Sequence, residues 1–131
     1  MGKESGLKAE NYFQSRMNQA GLSSEYIDSF YDFDVCGVKV EVKSCSPCVR
    51  QRSNRKDSHR SGRFDFTCLS NRELQYQENV WVCLIVRAND DFLMLGFLKA
   101  RQLNKRRYLA LNQYRRHKLL TFDEWVSIVN R

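Results

Sequence analysis

Proline occurs once in these 131 residues, histidine twice and glycine six times. One proline and few glycines exclude a collagen-like or low-complexity chain. Two histidines, His59 and His117, stand too far apart in sequence to form a paired ligand motif. No apolar run reaches the length of a bilayer span. The segment MGKESGLKAE lacks the apolar core of a secretion signal. The expectation is therefore a soluble, intracellular (cytoplasmic) protein with no membrane partner. Five cysteines are an odd number, and they are spread through expected strands, which suits reduced thiols rather than a disulfide framework. Cys45 and Cys48 make a lone C-x-x-C pair, and a zinc site needs a second pair or paired histidines.

Acidic residues are also scarce relative to basic ones. Asp and Glu number 15 against 22 Lys and Arg, a net charge of +7. Such an excess predicts a polyanionic partner, and nucleic acid is the first candidate. Hydrophobic content of 42% and aromatic content of 12% argue against disorder. The length predicts one domain over residues 1–131.

What is present begins with a helical stripe. Leu7, Tyr12, Phe13 and Met17 recur at helical spacing over about 4–20, and Gly21 stops the helix. Glu10 lies beside the stripe. A strand carrying Asp34 follows, then a tight turn at Cys36-Gly37. Val38, Val40 and Val42 then alternate with Lys39, Glu41 and Lys43, which puts Glu41 and Lys43 on one strand face. Pro47 ends the strand. The stretch from Val49 to Arg63 reads as a polar loop. FDFTCL is expected as a short strand, and SNRELQYQ as a turn or short helix. NVWVCLIVRA reads as a strand buried on both faces, and FLMLGFLKA as its antiparallel return. Thr121 and Glu124 have capping-box spacing ahead of a C-terminal helix with Phe122, Trp125, Ile128 and Val129 on one face. The fold class is α/β (α+β), a mixed sheet with flanking helices.

The chemistry concentrates in FYDFDVCGVKVEVKSC. A hairpin that brings two carboxylates opposite each other, with an ammonium alongside, can hold Mg²⁺ and orient water toward a phosphodiester. Asp34 and Glu41 are the expected carboxylates and Lys43 the amine. Asp32, two residues from Asp34 on the same face, is the rival. Asp34 is preferred because it is nearer the turn and is expected to face Glu41. Glu10 is a further acidic candidate.

These residues resemble the PD-(D/E)xK nuclease superfamily, through Glu10 in GLKAE, Asp34, and EVK at Glu41 to Lys43. The resemblance is best over 4–44, and Phe33 stands where the superfamily's proline would be. It implies a restriction-endonuclease-like αβββαβ core and Mg²⁺- or Mn²⁺-dependent hydrolysis of DNA to a 5′-phosphate and a 3′-hydroxyl. It further implies Asp34, Glu41 and the Val42 carbonyl as metal ligands, Lys43 as the catalytic lysine, Glu10 as the helix glutamate of the Holliday-junction-resolvase-like branch, and a homodimer. The later strands look more like small homing or restriction-type enzymes. The alternative is a catalytically inactive nucleic-acid-binding module of the same fold.

Arg50, Arg52, Arg55, Lys56, Arg60 and Arg63 follow the site and are expected to contact DNA phosphates. A second basic group comprises Arg101, Lys105, Arg106, Arg107, Arg115, Arg116, His117 and Lys118. Tyr108 and Tyr114 interleave with it; it reads equally as a contact for flanking duplex or a partner subunit and as a solvated surface.

Overall fold

The computed structural model describes residues 2–51, 58–66, 69–103 and 108–130. Three helices are present among them: α1 (Gly2–Gln19), α2 (Leu69–Gln77) and α3 (Phe122–Val129). The strands are β1 (Ser24–Tyr26), β2 (Phe33–Val35), β3 (Val38–Cys45), β4 (Cys48–Gln51), β5 (Ser58–Ser61), β6 (Arg63–Asp65), β7 (Trp81–Ala88), β8 (Asp91–Lys99) and β9 (Tyr108–Ala110). The central sheet has five strands in the order β1-β2-β3-β7-β8. It is mixed, since β3 and β7 run parallel and the other neighbours antiparallel.

Strand β7 shows why the sheet has two cores. Its alternate side chains point to opposite faces. Trp81, Cys83 and Ile85 enter one apolar cluster, and Val82, Leu84 and Val86 the other. The first cluster is completed by Ala9, Phe13 and Met17 of α1 and Trp125 of α3, so both helices cover that face. Phe97 and Trp125 stack with ring centroids 4.1 Å apart. Arg16 ties the two helices together, with its guanidinium 4.6 Å from the Phe122 ring. The second cluster holds Phe64 of β6, Leu109 of β9 and the flank of Tyr76 from α2.

The terminators predicted from sequence are in place. Leu22 donates its amide to the Met17 carbonyl and Gly21 to Asn18, with Gly21 at φ 75°, the pattern of a left-handed helix stop. The Thr121 hydroxyl accepts from the Glu124 amide while the Glu124 carboxylate accepts from the Thr121 amide, a complete capping box. Cys36 and Gly37 both have positive φ, 51° and 86°, as a two-residue hairpin turn requires.

Two expectations need correction. Part of the polar stretch after Pro47 is a ribbon, in which β4 pairs antiparallel with β5. Backbone hydrogen bonds make such a ribbon without apolar side chains, so hydropathy gave no signal for it. Strand β1 was not expected either; it extends the sheet beyond β2.

Candidate functional site

The turn at Cys36-Gly37 sets the register of the β2–β3 hairpin. Val35 pairs with Val38, Asp34 with Lys39 and Phe33 with Val40. One step beyond the last pair, the Asp32 amide donates to the Val40 carbonyl at 3.0 Å, bringing Asp32 level with Glu41. Val40 and Val42 point into the core beneath α1, so Glu41 and Lys43 share the opposite face with Asp32.

Asp32 and Glu41 are locked into this position. Asp32 Oδ2 accepts from the Val42 amide at 2.7 Å. Glu41 Oε2 accepts from Gln75 Nε2 at 2.7 Å, and the same amide nitrogen donates to the Phe30 carbonyl at 2.7 Å. Gln75 comes from α2, which closes this part of the face; Glu41's side chain is only 12% exposed. Lys43 Nζ stands 3.9 Å from Glu41 Oε2. Burial, reinforced by the hydrogen bond to Asp32 and by its charge, pushes the Glu41 carboxyl up to about 9, while Lys43 and Gln75 pull it down. Without a cation, two carboxyl groups this close keep a proton between them.

Glu10 approaches from α1. Its carboxyl is raised, chiefly by burial and then by the charges of Asp32 and Asp28. The Tyr26 hydroxyl lies in the same field. Glu10 is the main cause of its upward shift, followed by slight burial and the charges of Asp28, Asp32 and Glu41. Thus the structure brings Glu41 and Lys43 together with Asp32, and sets Glu10 within the field of Asp32.

Asp34 is placed differently. Both its carboxylate oxygens accept from the Tyr31 hydroxyl at 3.1 Å, and it is level with Lys39, not Glu41. The expectation that Asp34 faces Glu41 is therefore corrected: a two-residue turn pairs positions symmetrically about it, and the partner of Glu41 becomes Asp32. Gln75 was missed altogether. Nothing in its polar helix marks it, and it reaches Glu41 from 34 residues away. Asp32 could have been found by counting back from the turn.

The donor set fits a hard divalent cation. Two carboxylates face each other. The Val42 carbonyl lies on the same strand edge as its amide, which already meets Asp32. Among the described residues no three His, Cys, Asp or Glu side chains form a ligand group by themselves. An ion here would take two carboxylates, that carbonyl and waters, as Mg²⁺ commonly does.

Of the expected DNA contacts, Arg52, Arg55 and Lys56 lie outside the described residues. Arg50 and Arg60 are on the β4–β5 ribbon, where Arg60 pairs with Val49 and Arg50 with His59. Arg63 is on β6, with Nε 3.4 Å from Asp65 Oδ1. Cys36, Cys45, Cys48 and Cys83 are free thiols. No helix among the described residues is long and apolar enough to cross a membrane. Comparison of the chain with protein-family models, with curated proteins and with solved structures found no match.

Proposed function

We propose that this chain is a Mg²⁺- or Mn²⁺-dependent endonuclease acting on DNA, with Asp32, Glu41 and the Val42 carbonyl holding the ion. The observation that carries this reading is the close Asp32–Glu41 pair, with the Glu41 side chain only 12% exposed and the Lys43 amine 3.9 Å from it. An acid enclosed against a second acid costs folding stability, and a carboxyl raised as Glu41 is marks functional sites more often than structural ones. The element order supports the reading in part: α1, β1–β3, α2 and β7 follow the αβββαβ sequence of the resembled core, with β4–β6 inserted between β3 and α2. The basic balance of the chain supports a nucleic-acid substrate.

When bound, the ion supplies positive charge against the phosphate oxygens and acidifies water. Lys43 orients the attacking water and offers a proton-bearing amine to the charge that develops on phosphorus. Gln75 holds the Glu41 carboxylate in one rotamer. Glu10 adds a third acid at the rim, able to take a hydrogen bond from ordered water. A homodimer would place one such centre on each strand of a duplex or branched junction.

The alternative, a binding module of the same fold without turnover, is favoured by one observation. Both acids already have protein donors, the Val42 amide and Gln75, at 2.7 Å. Incubating the protein with a four-way junction, a linear duplex and a single strand, with and without Mg²⁺, separates the two. Cleavage that requires Mg²⁺ and is abolished in Asp32→Asn supports the enzyme. Cleavage that persists in EDTA or in Lys43→Ala rules the mechanism out, and binding without cleavage favours the module.

A further inference from the structure

Beyond Lys43, the same face of β3 carries Cys45, and there β6 closes over the strand. The Gly62 amide donates to the Pro47 carbonyl at 3.1 Å, and a Cβ at Gly62 would overlap the Ser46 carbonyl. This close approach fixes the start of β6 against the end of β3. Asp65 of β6 lies near enough that its charge, added to the larger effect of burial, pushes the Cys45 thiol up to about 12.

Strands β6 and β9 form a two-stranded ribbon, with Phe64 opposite Leu109 and Asp65 opposite Tyr108. Phe64 and Leu109 are fully buried beneath it. Arg63, Asp65 and Tyr108 therefore share the outer side. The Arg63 guanidinium lies 4.7 Å from the Tyr108 ring centroid, and its Nε is anchored at 3.4 Å by Asp65. Tyr108 remains 47% exposed. An outward aromatic ring backed by an oriented guanidinium suits a flat π-surface and a nearby phosphate at once.

We propose that Tyr108, backed by Arg63, is a stacking platform for an unpaired nucleobase in the strand that leaves the candidate centre past Lys43. This deepens the nuclease reading and rests on it for the path of the strand. It assigns a single-stranded arm to the substrate, since a base inside a duplex cannot offer its face to Tyr108. Arg63 adds a contact to the adjoining phosphate.

The test is fluorescence anisotropy in EDTA, where cleavage does not intervene, with a single-stranded oligonucleotide and a duplex of equal length. Tyr108→Ala is expected to weaken single-strand binding by about 5- to 150-fold and duplex binding by less than about 2-fold, while Tyr108→Phe, which keeps the ring, binds as the parent does. An unchanged single-strand affinity in Tyr108→Ala overturns the platform. So does an equal loss on both substrates, or a parent protein that does not bind the single strand. The cleavage assay stands apart: loss of single-strand binding in Tyr108→Ala without any Mg²⁺-dependent cutting by the parent sinks the nuclease but retains the platform. Cutting with unaltered binding sinks the platform alone.

Discussion

At its turn end the β2–β3 hairpin sets Asp34 level with Lys39; at its open end it sets Asp32 level with Glu41. The two steps use the same strands and the same face. At the turn end an acid meets a base, and Asp34 is further tied to the Tyr31 hydroxyl. Lys39 also has the Tyr31 ring at 5.8 Å and Glu78 at 3.9 Å. Asp34 has a hydroxyl donor and Lys39 an acid partner, so the turn end is accounted for by folding alone. At the open end an acid meets an acid, the Glu41 side chain being only 12% exposed, and Asp32 with Asp28 also raises Glu10. Packing alone does not account for an acid placed against an acid, even with Lys43 3.9 Å from Glu41 and the Gln75 amide donating to it.

The comparison breaks most sharply in cleavage. Lys43→Ala is expected to lower the rate on a DNA junction or duplex by about 10²- to 10⁴-fold, the usual range for a lost proton-handling group. Asp32→Asn should do at least as much, whereas Asp34→Asn should stay within about threefold, since it alters only a contact to Tyr31. A larger loss in Asp34→Asn than in Asp32→Asn would reverse the assignment of the two ends. Thermal unfolding offers a second measure, independent of turnover. Mg²⁺ at a hundred times its Kd should stabilise the parent and Asp34→Asn by about 2.7 kcal/mol. Asp32→Asn and Glu41→Gln should show no such rise.

Most elements could be read from the amino-acid order because they depend on local signals. The stripe of Phe13 and Met17, the Gly21 stop, the Thr121–Glu124 capping box and the two-faced burial of Trp81–Val86 are all short-range patterns. The turn at Cys36-Gly37 was equally legible, and it already contained the register. Reflecting Glu41 through that turn lands on Asp32, whereas nearness to the turn favours Asp34. The ribbons were hidden for a different reason. FDFTCL already reads as the strand that forms β6, but its three-residue partner β9 and their pairing across a long sequence separation leave no local signal. Gln75 was invisible because its role exists only after α2 packs over β3.

Gln75 therefore gives a test of intermediate size. Gln75→Leu keeps the volume but removes the donor to Glu41 and to the Phe30 carbonyl. Groups that orient a metal ligand typically contribute 10- to 100-fold, so a loss of about that size in Mg²⁺ affinity or in rate is expected. Gln75→Glu should be worse than Gln75→Leu, because it places another carboxylate against Glu41. Equal or better function in Gln75→Glu would show that α2 does not position the acid pair.

A separate expected effect, needing neither turnover nor metal, is the pH dependence of stability, which reads the open end through the proton on Glu41. Glu41 is raised from an ordinary 4.5 to about 9 in the folded protein, by burial first and then by Asp32. Between those values the folded state holds a proton that the unfolded chain has released. Stability from this group is therefore complete below 4.5 and is lost as pH rises through 9, with a slope of at most about 1.4 kcal/mol per pH unit. Urea unfolding in EDTA at several pH values measures it. Glu41→Gln should remove this part of the slope, and Asp34→Asn should leave it in place. Saturating Mg²⁺ should also flatten it, because the cation replaces the proton and binds more tightly as pH increases. A slope that survives in Glu41→Gln would mean that the proton resides elsewhere and that the open end of the hairpin is no more charged than its turn.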